Sequence, residues 1–245
     1  MTAPPWRLGT VAELIPETPQ AISIVLELPD WPGHRAGQHV DVRVGTADGR
    51  QLERSYAIAS AARDRHLMLT VERVHGGPVS TYLTAGVGVG EQLELRGPLG
   101  DFGWDEPGRE PALLVADGWG IAACRPMLRQ LQDRPGVRPV RVLYSARSMP
   151  DVIYHDELLR LAAYDEVDVR LALTHEWPRT WRGHRGRIDG RLLSQVCWPP
   201  DAEPRVFIAG PAGFTETVAS ALTGQGHQAA RIHRLGGASG GHNGL

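Results

Sequence analysis

Cysteine is scarce: Cys124 and Cys197 are the only two in 245 residues, and they lie far apart in the chain. Two thiols cannot complete a four-thiolate iron–sulfur cluster or a structural zinc site, so any one-electron metal centre that works with this chain is expected on another protein. Long hydrophobic runs are also missing. Nothing approaches the roughly 20 apolar residues that cross a bilayer, and Met1 to Gln20 has neither the basic start nor the apolar centre of a secretory leader. Nor is there an excess of either charge. With 26 Lys plus Arg against 28 Asp plus Glu the formal net charge is −2, which argues against nucleic acid or an anionic membrane surface as partner. The ten histidines include no His-Glu-x-x-His pair, and His34, His39, His175 and His184 sit in loop-like, glycine-flanked sequence. They are expected at the solvated surface, with no metal site. A cytoplasmic location is expected.

What is present reads as two domains, for which the length suffices. From Trp6 to about Trp104 the apolar pattern has period two: Ile22, Ile24, Leu26 and Leu28 alternate with Ser23, Val25 and Glu27, and Val40, Val42 and Val44 with Asp41 and Arg43. Leu67, Leu69 and Val71 alternate in the same way with Met68, Thr70 and Glu72. These are half-buried strands, separated by turn-forming clusters at Pro29 to Gly33, Thr46 to Gly49 and Gly86 to Gly90, so an antiparallel barrel or sandwich is predicted. The Gly86 to Gly90 run precedes a strand, Gln92 to Arg96, and is read as a tight connection rather than a phosphate loop.

After a linker from Asp105 to Pro111 the pattern changes, which divides the chain into 1–106 and 107–245. Ala112 to Ala116, Val140 to Tyr144, Val167 to Leu173 and Val206 to Ala209 read as buried parallel strands. Helices are predicted near Ala122 to Gln132, His155 to Tyr164, Arg191 to Val196 and Phe214 to Leu222. In such an open α/β sheet a ligand binds at the carboxyl ends of the strands, which groups Asp117 to Ile121, Ser145 to Ser148, Thr174-His175 and Gly210 to Phe214 around one crevice. Gly236 to Leu245 is glycine-rich and is expected to be a mobile tail. Leu113 to Leu128 has the frame of a nucleotide-binding strand, glycine loop and helix, yet Asp117 and Trp119 stand inside the loop. A carboxylate repels phosphate, and an indole fills space where a small residue would let a ligand approach the backbone.

In the first half, Arg54 and Tyr56 lie two residues apart on one strand face, and a guanidinium beside a phenol suits a ligand with both a phosphate and an aromatic plane. Gly76, Gly77 and Ser80 precede a possible short helix, where N–H and hydroxyl groups suit a pyrophosphate. With these motifs in order the chain resembles the ferredoxin–NADP reductase family, in particular its small members without an iron–sulfur domain. The resemblance runs from about Trp6 to Gly237. It is carried by Arg-Ser-Tyr-Ala at 54 to 57, Gly-Gly-x-x-Ser at 76 to 80, Gly-Pro-x-Gly-x-Phe at 97 to 102, Leu-Tyr-Ser-Ala-Arg at 143 to 147 and Phe-Ile-Ala-Gly-Pro at 207 to 211.

The resemblance implies an antiparallel Greek-key flavin-binding barrel followed by an open parallel α/β domain that binds NADPH or NADH. Carried over, Arg54 would hold the FAD pyrophosphate, Tyr56 would stack on the flavin ring between Ser55 and Ala57, and Gly76, Gly77, Val79 and Ser80 would cradle phosphate. The backbone of Val71, Glu72 and Arg73 would face the flavin. Gly118, Gly120, Gly210 and Pro211 match the pyridine-nucleotide loops, and Ser145 and Arg147 would meet a ribose or its 2′-phosphate. Arg147 tilts the choice towards NADPH; an ion pair with Asp151 is its alternative role. Tyr56 and Trp119 are the candidate catalytic residues. Electrons would leave for a separate acceptor protein, a ferredoxin, an oxygenase or another redox enzyme.

Departures from the family pattern cluster at the junction of the two cofactors. Ala57 stands for Ser or Thr, Asp117 for the first Gly of the nucleotide loop, Trp119 for its Ser or Thr, Ala123 for its Pro and Ala209 for Cys, and His233 to Gly236 lacks the usual acidic residue. Two readings follow. In one the loop has relaxed and flavin reduction by nicotinamide persists, resting on proximity and orientation. In the other Trp119 and Asp117 close the crevice and the flavin serves other chemistry. A non-catalytic partner subunit is a third. The retained Arg54, Tyr56, Gly76, Gly77 and Ser80 favour the first. If Asp117 and Trp119 obstruct the crevice, Asp117→Gly with Trp119→Ser tightens NAD(P)H binding, measured by titration; unchanged affinity and flavin reduction rate would remove obstruction as their role.

Overall fold

The computed structural model describes residues 4–45, 49–104, 110–132 and 139–237. Its first half is built from β1 (Trp6–Thr18), β2 (Ala21–Glu27), β3 (His39–Gly45), β4 (Gln51–Ala57), β5 (Leu67–Glu72) and β6 (Gln92–Leu99). Their order is β4-β3-β6-β1-β2-β5 with antiparallel neighbours, so β6 returns to lie between β1 and β3 in Greek-key fashion. Just past β4, Ile58 bridges Leu69 of β5 and the Ala59 N–H donates to the Met68 carbonyl at 2.7 Å, which closes the sheet into a barrel. Val40, Val42, Ile24, Leu26, Leu69, Val71 and Leu95 fill it. A short helix, α1 (Pro78–Ala85), starts with Pro in its first turn, where a missing N–H breaks no helical bond, and seats Val79 and Leu83 in that core.

The second half is a parallel sheet of β7 (Ala112–Asp117), β8 (Val140–Ala146), β9 (Val167–Leu173), β10 (His184–Arg185), β11 (Arg205–Pro211) and β12 (Ile232–Gly237). The order is β10-β9-β8-β7-β11-β12. Helices α2 (Ile121–Gln132) and α3 (His155–Leu161) cover one face, and α4 (Gly190–Val196) and α5 (Ala212–Gly224) the other. In β7, Ala112, Leu114 and Ala116 point to the first face and Leu113 and Val115 to the second, so a strand covered on both sides reads as an unbroken apolar run. Asp189 caps α4 by accepting the Leu192 N–H at 2.8 Å.

The halves share one buried cluster, in which Ala57, Ala59, Met68, Phe102 and Trp104 meet Ile121, Met127, Tyr144 and Phe207. Phe102 and Trp104 stand nearly perpendicular to the Phe207 ring, centroids 5.7 and 5.4 Å away. Around this seam Arg125 donates to the Ala59 carbonyl and to Glu157, both at 2.8 Å, Arg129 pairs with Asp64, and Trp104 Nε1 donates to Gln130 at 2.7 Å. Buried Thr70 hydrogen-bonds the Tyr154 hydroxyl and, at 2.7 Å, the Ser23 hydroxyl, which itself donates to Glu17 at 2.6 Å. These polar groups taken out of water are paired with one another, as burial requires.

This seam corrects several expectations. Met68, Thr70 and Ser23 were assigned to a solvated strand face by period two, but the second half covers that face and buries them. His39 lies within β3, and His34 is part-buried between the Trp31 indole, whose N–H it accepts at 3.1 Å, and the Ser60 carbonyl at 3.0 Å, so neither is a solvated loop residue. Helix α3 stops at Leu161, three residues short of the predicted Tyr164. Gly236 and Gly237 belong to β12, and the remainder of the expected tail lies outside the described residues, as do the boundary at 106/107, residues 105–109 of the linker and residues 46–48 of the Thr46 to Gly49 turn.

The connection from β7 to α2 is a 3-10 turn, Gly118–Gly120, and it runs so close to β11 that a Cβ on Gly120 would lie 2.1 Å from the Ala209 carbonyl oxygen. Two backbones cannot separate without breaking the sheet's packing on α2. Gly120→Ala is expected to destabilise by about 3 kcal/mol in urea unfolding, whereas Gly213→Ala, where a Cβ meets nothing within 4 Å, stays within about 1 kcal/mol of the parent.

Candidate functional site

Antiparallel pairing places Arg54 and Tyr56 on one face of β4 and Ser55 and Ala57 on the other. Arg54 is exposed, donates to the Glu53 carbonyl at 2.7 Å and forms no ion pair among the described residues. Tyr56 lays its ring against the barrel core beside α1. Burial pushes its phenol well above the ordinary range, the Arg54 charge opposing this only in part, so the ring stays neutral. The Ser55 hydroxyl donates to Asp41 at 2.7 Å, away from Tyr56. Ala57 is buried in the seam between the halves.

Helix α1 begins at Gly77 with no side-chain cap and no acidic residue in its first turn, which leaves the Val79 and Ser80 N–H groups at a positive helix end. Gly76 has φ +72°, a left-handed turn that brings the chain round to that end. The Ser80 hydroxyl differs from expectation: it donates to the Gly77 carbonyl and accepts the Val74 N–H, both at 3.1 Å, so it ties the loop and leaves backbone N–H groups as the donors for an anion. Arg73 is exposed, and its N–H donates to the Gln20 carbonyl at 2.7 Å. By ladder alternation Val71 and Arg73 pair towards β2, so the main-chain groups of Thr70 and Glu72 face the other edge of β5, beyond the Ile58 bridge.

At the carboxyl end of the parallel sheet, where strand order reverses between β7 and β11, Asp117 and Gly118 face Gly210 and Pro211. Asp117 and Ser145 are ladder partners at the ends of β7 and β8. Burial raises the Asp117 carboxyl above its ordinary value, the nearby Ser145 hydroxyl and the Arg187 charge opposing it. Ser145 is 3% exposed and so is buried beside Asp117 rather than open to the crevice. Arg147 is exposed and forms no ion pair with Asp151, which instead accepts the Ser148 hydroxyl at 2.6 Å. The Trp119 indole lies over Gly237 of β12, where an added Cβ would fall 2.6 Å from the ring.

One functional contact escaped the sequence. The Trp119 N–H, in the loop that an open α/β sheet offers to a nucleotide, donates at 2.8 Å to a Glu72 carboxylate oxygen from the barrel. A Cβ on Gly118, which has φ +51°, would lie 2.6 Å from that same oxygen. Burial raises the Glu72 carboxyl above its ordinary value; the Trp119 N–H and the Arg147 charge work against this, and Asp117 and Asp151 add to it. Only the unusual pairing of Asp117 and Trp119 around Gly118 signalled anything special here. A polar cleft of about 370 Å³ among Arg35, Gln38, Asp101, Phe102, Arg205 and His233 sits at the other end of the sheet, by the amino ends of β11 and β12. Both cysteines are buried, and burial pushes the Cys124 thiol up to about 12 and the Cys197 thiol up to about 11. Among the described residues no group of three or more His, Cys, Asp or Glu is arranged to hold a metal, and no helix is long and apolar enough to cross a membrane.

Residues 20–104 match the family model of the oxidoreductase FAD-binding domain, and residues 114–220 that of the oxidoreductase NAD-binding domain. With the closed barrel and the crevice of the parallel sheet, these define a flavin- and nicotinamide-binding oxidoreductase module. The chain belongs to the ferredoxin–NADP reductase family: it is 35% identical over 181 residues to ferredoxin–NADP reductase B of Sorangium cellulosum, covering 71% of this chain and 73% of that one. It is 30% identical over 202 residues to the glycine betaine monooxygenase reductase subunit of Pseudomonas aeruginosa, covering 81% of this chain and 55% of the relative. The chain thus spans little more than half the length of that relative. Among solved structures, the FAD/NAD-binding domain of a Vibrio cholerae nitric oxide dioxygenase superposes with TM-score 0.83 at 25% identity over 95% of this chain and 98% of that one. A Neisseria gonorrhoeae ferredoxin NADP+ reductase with bound FAD and NADP shares the fold, with TM-score 0.80 at 19% identity over 94% and 98% of the two chains.

Proposed function

We propose that this chain is an FAD-dependent NAD(P)H oxidoreductase that passes electrons from a reduced nicotinamide, through flavin, to a separate redox protein, with 1–106 as the flavin half and 107–245 as the nicotinamide half. The observation that carries the reading is the meeting of β5 with the loop after β7, where Glu72 touches Trp119, so that the end of a barrel strand lies against the carboxyl-end loop of the parallel sheet. Donor and acceptor of electrons then sit at one junction, as proximity-driven transfer needs.

Arg54 and the uncapped N–H groups of Val79 and Ser80, reached through the Gly76-Gly77 turn, hold the FAD pyrophosphate with charge-assisted hydrogen bonds. Tyr56 offers a neutral aromatic face to the flavin ring, and within Val71 to Arg73 the Glu72 main chain, which faces away from β2, lines its edge. FAD, when bound, supplies the exchange between two-electron and one-electron chemistry that no side chain of this protein can perform. Gly118, Gly120, Gly210 and Pro211 keep the crevice floor low enough for a dinucleotide, and Trp119 forms its wall. Exposed Arg147, free of Asp151, favours a 2′-phosphate and so NADPH over NADH.

Two relatives are, by name, parts of oxygenase systems, a glycine betaine monooxygenase reductase subunit and component C of a methane monooxygenase. An oxygenase, a ferredoxin or another redox enzyme is the partner class this supports, in the cytoplasm. The contrary reading, a flavoprotein whose nucleotide half no longer admits nicotinamide, draws on the two carboxylates, Asp117 and Glu72, in the crevice.

An anaerobic absorbance titration of the purified protein with NADPH and then NADH separates them. Stoichiometric bleaching of the flavin band is expected; a bound flavin that stays oxidised with both nucleotides but bleaches with dithionite overturns the reductase reading in favour of its alternative, and absence of flavin leaves only a non-catalytic subunit. Arg54→Ala is expected to lose flavin during purification, read as the ratio of flavin to protein absorbance. Full retention would remove Arg54 from the pyrophosphate site.

A further inference from the structure

We propose that Glu72 sets the affinity for pyridine nucleotide by acting as an internal anion that occupies the nucleotide loop and must release the Trp119 N–H before a dinucleotide can use it. The proposal rests on the reductase reading above. In an open α/β sheet the turn between the first strand and its helix presents backbone N–H groups to the negative pyrophosphate. Here that turn is Gly118–Gly120, and its Trp119 N–H is already bound at 2.8 Å by a carboxylate from the other half of the molecule.

The fit is built in. Gly118 leaves room for the carboxylate that any side chain would remove, since a Cβ would come within 2.6 Å of its oxygen. Glu72 ends β5, held by the ladder to β2 and by the following Arg73 N–H to Gln20, so its backbone is anchored and only its side chain is free to turn away. The charged and titratable groups around it are Asp117 at the end of β7, Tyr144 in β8, Asp151 after β8 and Arg147, one cation against two carboxylates. A dinucleotide entering this setting brings further negative charge to a donor that holds one anion already, and like charges at a shared donor exclude each other. Entry therefore requires Glu72 either to rotate out or to take up a proton, the latter made easier by its burial.

Two consequences distinguish this from a purely structural contact. Neutralising Glu72 strengthens nucleotide binding instead of weakening it. Binding to the parent protein also tightens as pH falls through the raised Glu72 range, because protonation removes the competing charge. Asp117 titrates with the same sign, so the Glu72 share is the difference between the parent and Glu72→Gln.

The test uses the flavin-loaded protein with NADP+ and NAD+, which bind without reducing flavin, and measures Kd by calorimetry for the parent, Glu72→Gln and Glu72→Ala at several pH values. Thermal melts check that each variant is folded, and the alanine variant serves if the glutamine one is not. At least tenfold tighter binding in a folded variant, with a shallower pH dependence, is expected; tighter binding where the parent binds nothing supports the proposal equally. Unchanged or weaker binding overturns it. If that occurs while NADPH or NADH still bleaches the parent flavin, the internal-anion role alone fails. If no form binds nucleotide and neither reduced nucleotide bleaches the parent, the reductase reading fails and takes this proposal with it.

Discussion

Ala57, Ala59, Met68, Phe102 and Trp104 of the barrel and Ile121, Met127, Tyr144 and Phe207 of the parallel sheet form one continuous buried cluster, and the relation of the two halves depends on it. The contact is apolar at its centre, with Phe102 and Trp104 T-shaped against Phe207, a geometry worth about 1 kcal/mol per pair beyond the area it buries. Polar groups pin its rim, Arg125 to the Ala59 carbonyl, Arg129 to Asp64 and Thr70 to Tyr154. Apolar contact alone is indifferent to small slides. The directional bonds remove that freedom, and the end of β5 is thereby held against the turn after β7.

The two candidate anion sites differ in their charge. At α1 the helix end has no side-chain cap and no acidic residue in its first turn, which favours negative charge. Across the junction the corresponding turn already holds an internal carboxylate, its Trp119 N–H bound to Glu72, and a second carboxylate, Asp117, stands just before it. Burial disfavours the charged form of both carboxylates. The departures from the family pattern at this loop therefore make one coherent electrostatic arrangement.

Much of the architecture was legible because the periodicity of burial is written into local sequence. Val40 and Val42 alternate with Asp41 and Arg43 as a barrel strand must, and the unbroken run Ala112 to Ala116 reads as a strand covered on both faces. β12 was not legible, since Ile232 to Gly237 is an edge strand with little to bury, and neither was the two-residue β10. Met68 and Thr70 misled for the opposite reason: alternation identifies two faces of a strand but not what covers the second. In the candidate site, the placement of Arg54 and Tyr56 on one strand face is legible from their spacing, whereas the folded chain ties the Ser80 hydroxyl into its own loop and buries Ser145, which no local pattern reports.

By itself the sequence determined the element types, the order of a barrel before an α/β sheet, and the motifs that mark the ferredoxin–NADP reductase family, because each depends on residues close together in the chain. Tertiary structure alone decided what those motifs do to one another. Glu72 and Trp119 are 47 residues apart, one ending a barrel strand and the other in the turn after β7, and no local pattern can report that a strand-end carboxylate lands on a loop N–H. That contact exists because packing of one half on the other sets the distance, and hydrogen bonds act only over about 3 Å.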